Sequence, residues 1–532
     1  MMERKYTGIQ KILASAYLLL IFAVLPIYMK DGFYLLADAK YIFYRGVSAA
    51  VLMLWVFFGA ASVVRWWWDH RSCSMRKNWS QWVREHSGCS STDCFVICFA
   101  LASILSYLFS DYKDTAFTGY YGWYMGLLTQ LFLAGGYFLV SRWYEKEEMV
   151  SSIIFLSASA VCLLGVMNRL GYDPLGTLKD MEDWSRRNLV STIGNINWYC
   201  CYLTVIVPLL LYCFWAGKGW KRIPSGVAAF AGIAAILLQG SSSGYAALMT
   251  MYIVLMFGSL KDVRRFRRFL EAVLLVPLFY FLLWMIPAEL VVPYEMEETV
   301  RMIDTPLWGI LLGILAAGIV ILQRVCIKKE KNCLEDGKVL KVVQVSAVTA
   351  VFAGILLLIG CQISEELWRF LGSPSLMRFD SEWGSRRGGL WAAAWKGFLK
   401  SDLIQKLCGA GPDCFARYFY EVESLEQTVP VAWSEGAIYA NAHNEWLNML
   451  INEGILGLAA YMGIFISALC RFWKQYGRNL SMMAGMMAAA AYLANQFFSF
   501  GQVVSTPLVF LVIAVCENKC RKIRDSGCIG KH

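Results

Sequence analysis

The sequence is poor in charge. Asp, Glu, Lys and Arg make up 17% of its 532 residues, against about 25% in soluble domains. Apolar residues reach 58%, above the roughly 45–50% of soluble chains. This balance excludes a single soluble domain. Histidine is scarcer still, with four in the whole chain: His70, His86, His443 and His532. The cysteines lack the paired C-x-x-C spacing of a metal site. Most lie in apolar runs or basic loops, as Cys200, Cys201, Cys326 and Cys520 do, and no metal is expected. Cys408 and Cys414 flank a Gly-rich turn; a disulfide and two separate thiols are both open there. A leader cleavage site is missing too. After the apolar run 12–28 comes Lys30-Asp31-Gly32-Phe33, so that run reads as a retained span.

What the chain does have is long apolar runs. About 20 such residues cross a bilayer. Candidate spans are 12–28, 47–64, 95–109, 124–140, 151–167, 198–215, 227–239, 245–260, 269–286, 307–322, 342–361, 445–470, 482–498 and 504–516. The expected fold is all-α, a polytopic transmembrane bundle of about fourteen spans. Net charge is +10, and it sits in short loops, such as Lys261/Arg264/Arg265/Arg267/Arg268 and the tail after Lys519. That is an orientation signal and not a nucleic-acid surface. It places both termini in the cytoplasm. Three parts follow: a bundle 1–361, a large extracytoplasmic loop 362–444, and C-terminal spans with a basic tail 445–532.

The loop of some eighty residues is far longer than ordinary connections and is expected to be a folded functional element. In it Leu390, Trp391, Ala394, Trp395 and Phe398 share one helical face. A helix lying on the membrane and a helix packed on its own loop both fit that spacing. His443 is the one histidine expected on this side. Asn441 can cap the following helix, placing His443 in its first turn. There the helix end disfavours imidazolium and favours a bound anion. The plainer reading makes His443 an interfacial polar residue beside capping asparagines. Arg386 and Arg387 present guanidinium groups suited to phosphate, or form a solvated surface pair. Asn195 and Asn197 at one span mouth, and Ser241–Ser243 between two spans, are polar breaks. Each lines a cavity or makes a tight turn.

Together these pieces resemble the O-antigen ligase and polymerase superfamily of bacterial surface-polysaccharide enzymes. Ala442-His443-Asn444-Glu445-Trp446-Leu447, then Glu453-Gly454-Ile455-Leu456-Gly457, is similar to that family's HN-x-x-L and E-G-x-x-G signature. Arg387-x-x-x-Trp391, Gly409-Ala410-Gly411-Pro412-Asp413-Cys414-Phe415 and Gly194-Asn195-Ile196-Asn197 match its R-x-x-x-W, G-x-G-P-x-x-F and G-N-x-N elements. The resemblance implies a metal-independent, cofactor-free, inverting transfer of a glycan from a polyprenyl-diphosphate carrier to an acceptor hydroxyl on a glycan or lipid. It makes His443 the base and Arg387 a diphosphate ligand. Arg386, Asn444, Asn195, Asn197 and Ser243 are expected to bind substrate. Ser243 stands where the family often has arginine; Arg186, Arg187 and Arg301 are candidates to replace it.

A flippase for lipid-linked sugars is the rival class. It should show charges inside spans and internal repeats, and the sequence offers few of the first and no obvious halves. A peptidoglycan glycosyltransferase of the cell-shape type is weakened by the long late loop and the HN-x-x-L match.

Overall fold

With no water in the hydrocarbon, a spanning chain must satisfy its own backbone, and helices do so within one segment. The computed structural model describes residues 2–70, 88–179, 181–260, 262–286, 308–327, 338–372, 377–381, 383–421 and 439–529. Each apolar run of the sequence falls on a helix. In chain order these are α1 (Met2–Leu19), α2 (Leu36–His70), α3 (Ser91–Phe109), α4 (Leu127–Trp143), α5 (Glu148–Arg169) and α6 (Ile196–Ala216). There follow α7 (Arg222–Leu237), α8 (Ser242–Ser259), α9 (Val263–Val273), α10 (Leu275–Trp284), α11 (Trp308–Ile321) and α12 (Lys338–Ile363). The long loop contributes α13 (Trp383–Lys400), α14 (Leu403–Cys408) and α15 (Phe415–Glu421). The chain closes with α16 (Glu445–Tyr476), α17 (Met482–Gln496) and α18 (Thr506–Ile529). The strands among the described residues are β1 (Leu189–Val190) and β2 (Gly194–Asn195), an antiparallel pair.

Seven helices among the described residues are long and apolar enough to cross a membrane: Gly8–Ile27, Leu36–Arg65, Ser91–Phe109, Glu148–Arg169, Ile196–Ala216, Ser242–Ser259 and Glu445–Tyr476. The apolar helices α4, α7 and α17 are shorter, at 17, 16 and 15 residues. The core forms where α16 lies along α3, α8 along α17, α6 against α7 and α17, and α18 along α4.

The sequence offers few charges within spans, yet the structure buries Lys40, Asp93, Arg169, Glu445, Glu453 and Glu517. Lys40, Asp93, Arg169 and Glu445 lie toward helix ends, Glu453 stands at the kink of α16, and Glu517 lies midway along α18. Lys40 donates to the Leu25, Pro26 and Tyr28 carbonyls, each at 3.0 Å, satisfying groups that the end of the first span leaves without partners. Asp93 completes a capping box with Ser90 and accepts from Tyr137 at 2.7 Å and from Arg142 and Arg521. Glu517 accepts both arms of Arg471, at 2.8 and 2.9 Å, and the Thr92 hydroxyl at 2.7 Å. Bidentate pairs fix geometry as well as charge, so this cluster pins α3, α4, α16 and α18 at one end of the bundle.

Candidate functional site

The site begins with the loop's own small core. Leu390, Ala393, Ala394 and Phe398 of α13 are buried against Phe415, Tyr418 and Phe419 of α15 and against Leu450 and Ile451 of α16. Of the two arrangements open to α13, the packed one is therefore formed. Trp395 alone of the expected face stays exposed, at 48%. Cys408 and Cys414 are free, buried thiols.

The two glycine motifs then lock into each other. Gly409 and Gly411 take φ of +79° and +126°, and Gly454 breaks α16 at φ +69°. The Ala410 and Gly411 amides donate to the Ile451 and Asn452 carbonyls, both at 2.9 Å. A Cβ on Gly409 would overlap the Asn452 carbonyl, and one on Gly454 the Leu407 carbonyl. Only glycine fits at this approach and at these positive φ values. A serine stripe on α3 and its C-cap secures the joint. Ser103 donates to Glu453 at 2.8 Å, Ser106 to the Asn452 carbonyl at 2.7 Å, and Ser110 to the Ala410 carbonyl at 2.6 Å. Asp413 accepts the Tyr120 and Met125 amides at 2.8 and 2.9 Å. Burial pushes its carboxyl up to about 7, against those two bonds.

This joint aims the segment before α16. The Trp391 indole donates to the Ala442 carbonyl at 3.0 Å. His443 adopts left-handed backbone, φ +46°, and its amide donates to Asn441 Oδ1 at 3.0 Å. The helix cap is Asn444, which accepts from the Trp446 and Leu447 amides at 2.9 and 3.1 Å. The expectation of Asn441 as cap, with His443 in the first turn, is thereby corrected: His443 precedes the cap. Two first-turn amides are also taken by Asn444, so they do not face an anion. Asn444, expected to bind substrate, uses its side-chain oxygen as the cap.

The imidazole has Arg387 as its charged neighbour. Burial first, and then the Arg387 guanidinium, push His443 down to about 4, so the ring is neutral at ordinary pH. Arg387 itself is only 7% exposed. It lies one turn before Trp391, whose indole holds the His443 segment. Gly388 lets the Asp380 carbonyl approach where a Cβ would overlap it. The Arg386 side chain lies outside the described residues.

A turn that the sequence reading took for the end of a span completes the site. His443 meets Phe500 edge to face at 5.3 Å, Phe500 meets Trp123 at 4.7 Å, and Trp123 meets Trp198 at 5.4 Å. Phe497 packs between Trp391 and Trp446, 5.2 Å from each. Glu445 accepts the Gly501 amide at 2.8 Å and Asn448 at 3.3 Å. Around it, Trp446 Nε1, Asn448 Oδ1, Ser499 Oγ and both amide atoms of Gln502 are buried without a protein hydrogen-bond partner. Buried polar atoms are ordinarily satisfied, so this gathering beside His443 suits a polar occupant. The signal in the sequence was Asn495-Gln496 near the end of the run 482–498, with Ser499 and Gln502 before the run 504–516.

At the far end of the aromatic row sit the remaining candidates. Asn195 caps α6 by accepting the Asn197 amide at 2.8 Å. Asn197 accepts Ser241 at 3.1 Å, and Ser241 pairs with Ser243 at 2.9 Å. The two polar breaks of the sequence are thus one network. Beside it lies an arginine that the sequence reading passed over. Arg169, 1% exposed, donates to Gln239 at 3.0 Å and to the Arg187 carbonyl at 2.8 Å. It was hidden because an arginine ending a span reads as an ordinary boundary. Arg186 and Arg187 are exposed, and Arg186 is engaged with the Leu178 and Lys179 carbonyls. Arg301, His86 and His532 lie outside the described residues, as does the His70 side chain.

Among the described residues no group of three or more His, Cys, Asp or Glu side chains could hold a metal ion. In comparison with known proteins, the chain matches no family model and no curated protein.

Proposed function

We propose that the chain is a membrane glycan transferase of the O-antigen ligase and polymerase type. It moves a saccharide from a polyprenyl diphosphate to an acceptor hydroxyl. The expected apolar runs all lie on helices, and in this reading α4, α7, α9–α10, α11, α12, α17 and the first half of α18 join the seven long spans to make about fourteen. Both termini then face the cytoplasm of the cell membrane, and α13–α15 with His443 face outward.

One arrangement carries the reading: a neutral imidazole within electrostatic range of a buried guanidinium, next to aromatic rings and buried polar atoms. In the proposed step the acceptor oxygen attacks the anomeric carbon, and its proton goes to His443. The bond from that carbon to the diphosphate oxygen breaks, with inversion, and polyprenyl diphosphate leaves. Arg387 stabilises the charge that develops on the leaving oxygen. Arg169 adds a second fixed positive charge beside the Ser241–Ser243 break, in place of the family arginine. The rings of Trp123, Trp198 and Phe500 suit sugar faces, and Ser499 and Gln502 suit hydroxyls.

The test is conversion by the purified chain of a lipid-diphosphate-linked saccharide and an acceptor into a longer glycan and free lipid diphosphate. Arg387→Ala is expected to lower kcat/KM by about 10²–10³-fold. Arg387→Lys should fall between, keeping charge but losing the planar fork. An unchanged rate in both variants would refute the assignment. Movement of the saccharide across vesicles with no new glycosidic bond would favour the flippase.

A further inference from the structure

A cavity lies at the other end of the bundle. It has a volume of about 580 Å³ and sits between α1, α5, α6, α17 and α18. Its position follows from α16. That helix starts beside His443 and, past the Gly454 kink, runs from Ile455 to Tyr476, about 33 Å at 1.5 Å per residue; Asn479 and Ser481, which line the cavity, follow its far end.

The chemistry of the lining is two-sided. Phe155, Leu209 and Val512 represent apolar walls that reach between the helices. Lys146, Lys519, Asn479 and Ser481 form a polar rim at one end. Among the described lining residues there is no carboxylate. Lys519 is oriented by a 2.9 Å bond to Ser481, itself bonded to Asn479 at 2.8 Å. Lys146 is exposed. Of the acids flanking Lys146, Glu145 pairs with Lys11 and Glu147 accepts Ser15 at 2.6 Å, while Glu148 is exposed at the start of α5. Positive charge accumulates here. Lys522, bonded to the Tyr144 carbonyl at 3.0 Å, is lowered mainly by burial and further by Lys11 and Lys519, against Glu145. An amphiphile with an anionic head fits such a lining, and the volume lies within the range of ordinary ligand sites.

We propose that this cavity holds one anionic phospholipid, with its phosphate between Lys146 and Lys519 and an acyl chain among Phe155, Leu209 and Val512. The site is separate from the His443 centre and independent of the transferase reading. A zwitterionic head carries a cation that this rim repels, so phosphatidylglycerol should be preferred over phosphatidylcholine.

Native mass spectrometry of the full chain in detergent, titrated with dioleoylphosphatidylglycerol or dioleoylphosphatidylcholine, reads the preference. The wild type should retain one phosphatidylglycerol at least about tenfold more tightly, and the double variant Lys146→Gln/Lys519→Gln should bring the ratio to about one. Ala158→Phe, which fills the apolar wall, should reduce retention of both lipids. Thermal unfolding in phosphatidylcholine identifies any variant that fails to fold; the exposed Lys146→Gln alone then decides, with a ratio at least threefold below wild type expected. Equal retention of the two lipids by the wild type, or a preference unchanged in the lysine variants, overturns the proposal. So does displacement of phosphatidylglycerol by millimolar inorganic phosphate, which would mark a headgroup site without the acyl wall.

Discussion

His443→Ala is expected to lower product formation by about 10²–10⁴-fold, the range for loss of a general base, while the folded protein persists at wild-type level. The side chain makes its ring contact with Phe500 and no helix cap depends on it, since Asn444 is the cap. The pH profile makes the prediction sharper. A base must be unprotonated, and burial beside Arg387 holds His443 at about 4. Rate should therefore stay level from pH 8 down to about 5.5 in its dependence on this group, then fall as pH drops through about 4. An unperturbed histidine would lose half its activity near pH 6.5. A single step at that value, abolished in His443→Ala, would mean that the imidazole is solvated and away from the guanidinium. A mutant rate equal to wild type would remove His443 from the chemistry.

Gly454→Ala is the largest expected loss of stability. The new side chain meets two penalties. Gly454 holds φ +69° and ψ −169°, a region an L-residue enters at about 1–3 kcal/mol, and the Cβ overlaps the Leu407 carbonyl, where forced packing costs about 1–3 kcal/mol. The sum, about 2–6 kcal/mol, should appear as a clear drop in thermal unfolding midpoint in detergent. Gly477→Ala is the matched control. It follows the same helix with φ −61°, and nothing lies within 4 Å of its added Cβ, so its midpoint should not fall. Equal midpoints for the two variants would show that the glycine joint is not formed.

The helices were legible because burying a backbone in lipid requires long apolar runs, and every such run became a helix. The neighbouring pair His443 and Arg387 was legible as residue types but not as geometry. Asn441 and Asn444 are equally good caps by composition; the choice is made by Trp391, which holds Ala442 from 51 residues away. The face of α13 was legible except at Trp395, since spacing identifies a stripe and not its width. The joint between Gly409–Gly411 and Gly454 was invisible because it is made of backbone, which carries no side-chain signature. Residues 495–502 were missed for a related reason: they read as the frayed end of an apolar run, and only their position beside Glu445 gives them meaning.

The backbone joint between the long loop and the kink of α16 also bears on how a substrate could arrive. Two backbone hydrogen bonds tie the long loop, the roof beside His443, to α16, and Ser103, Ser106 and Ser110 clasp both to α3. A roof fastened in this way does not swing upward without breaking the kink itself. In the transferase reading, entry is then sideways, from the surrounding lipid, and turnover should slow as the bilayer stiffens, even where the chemical step is untouched.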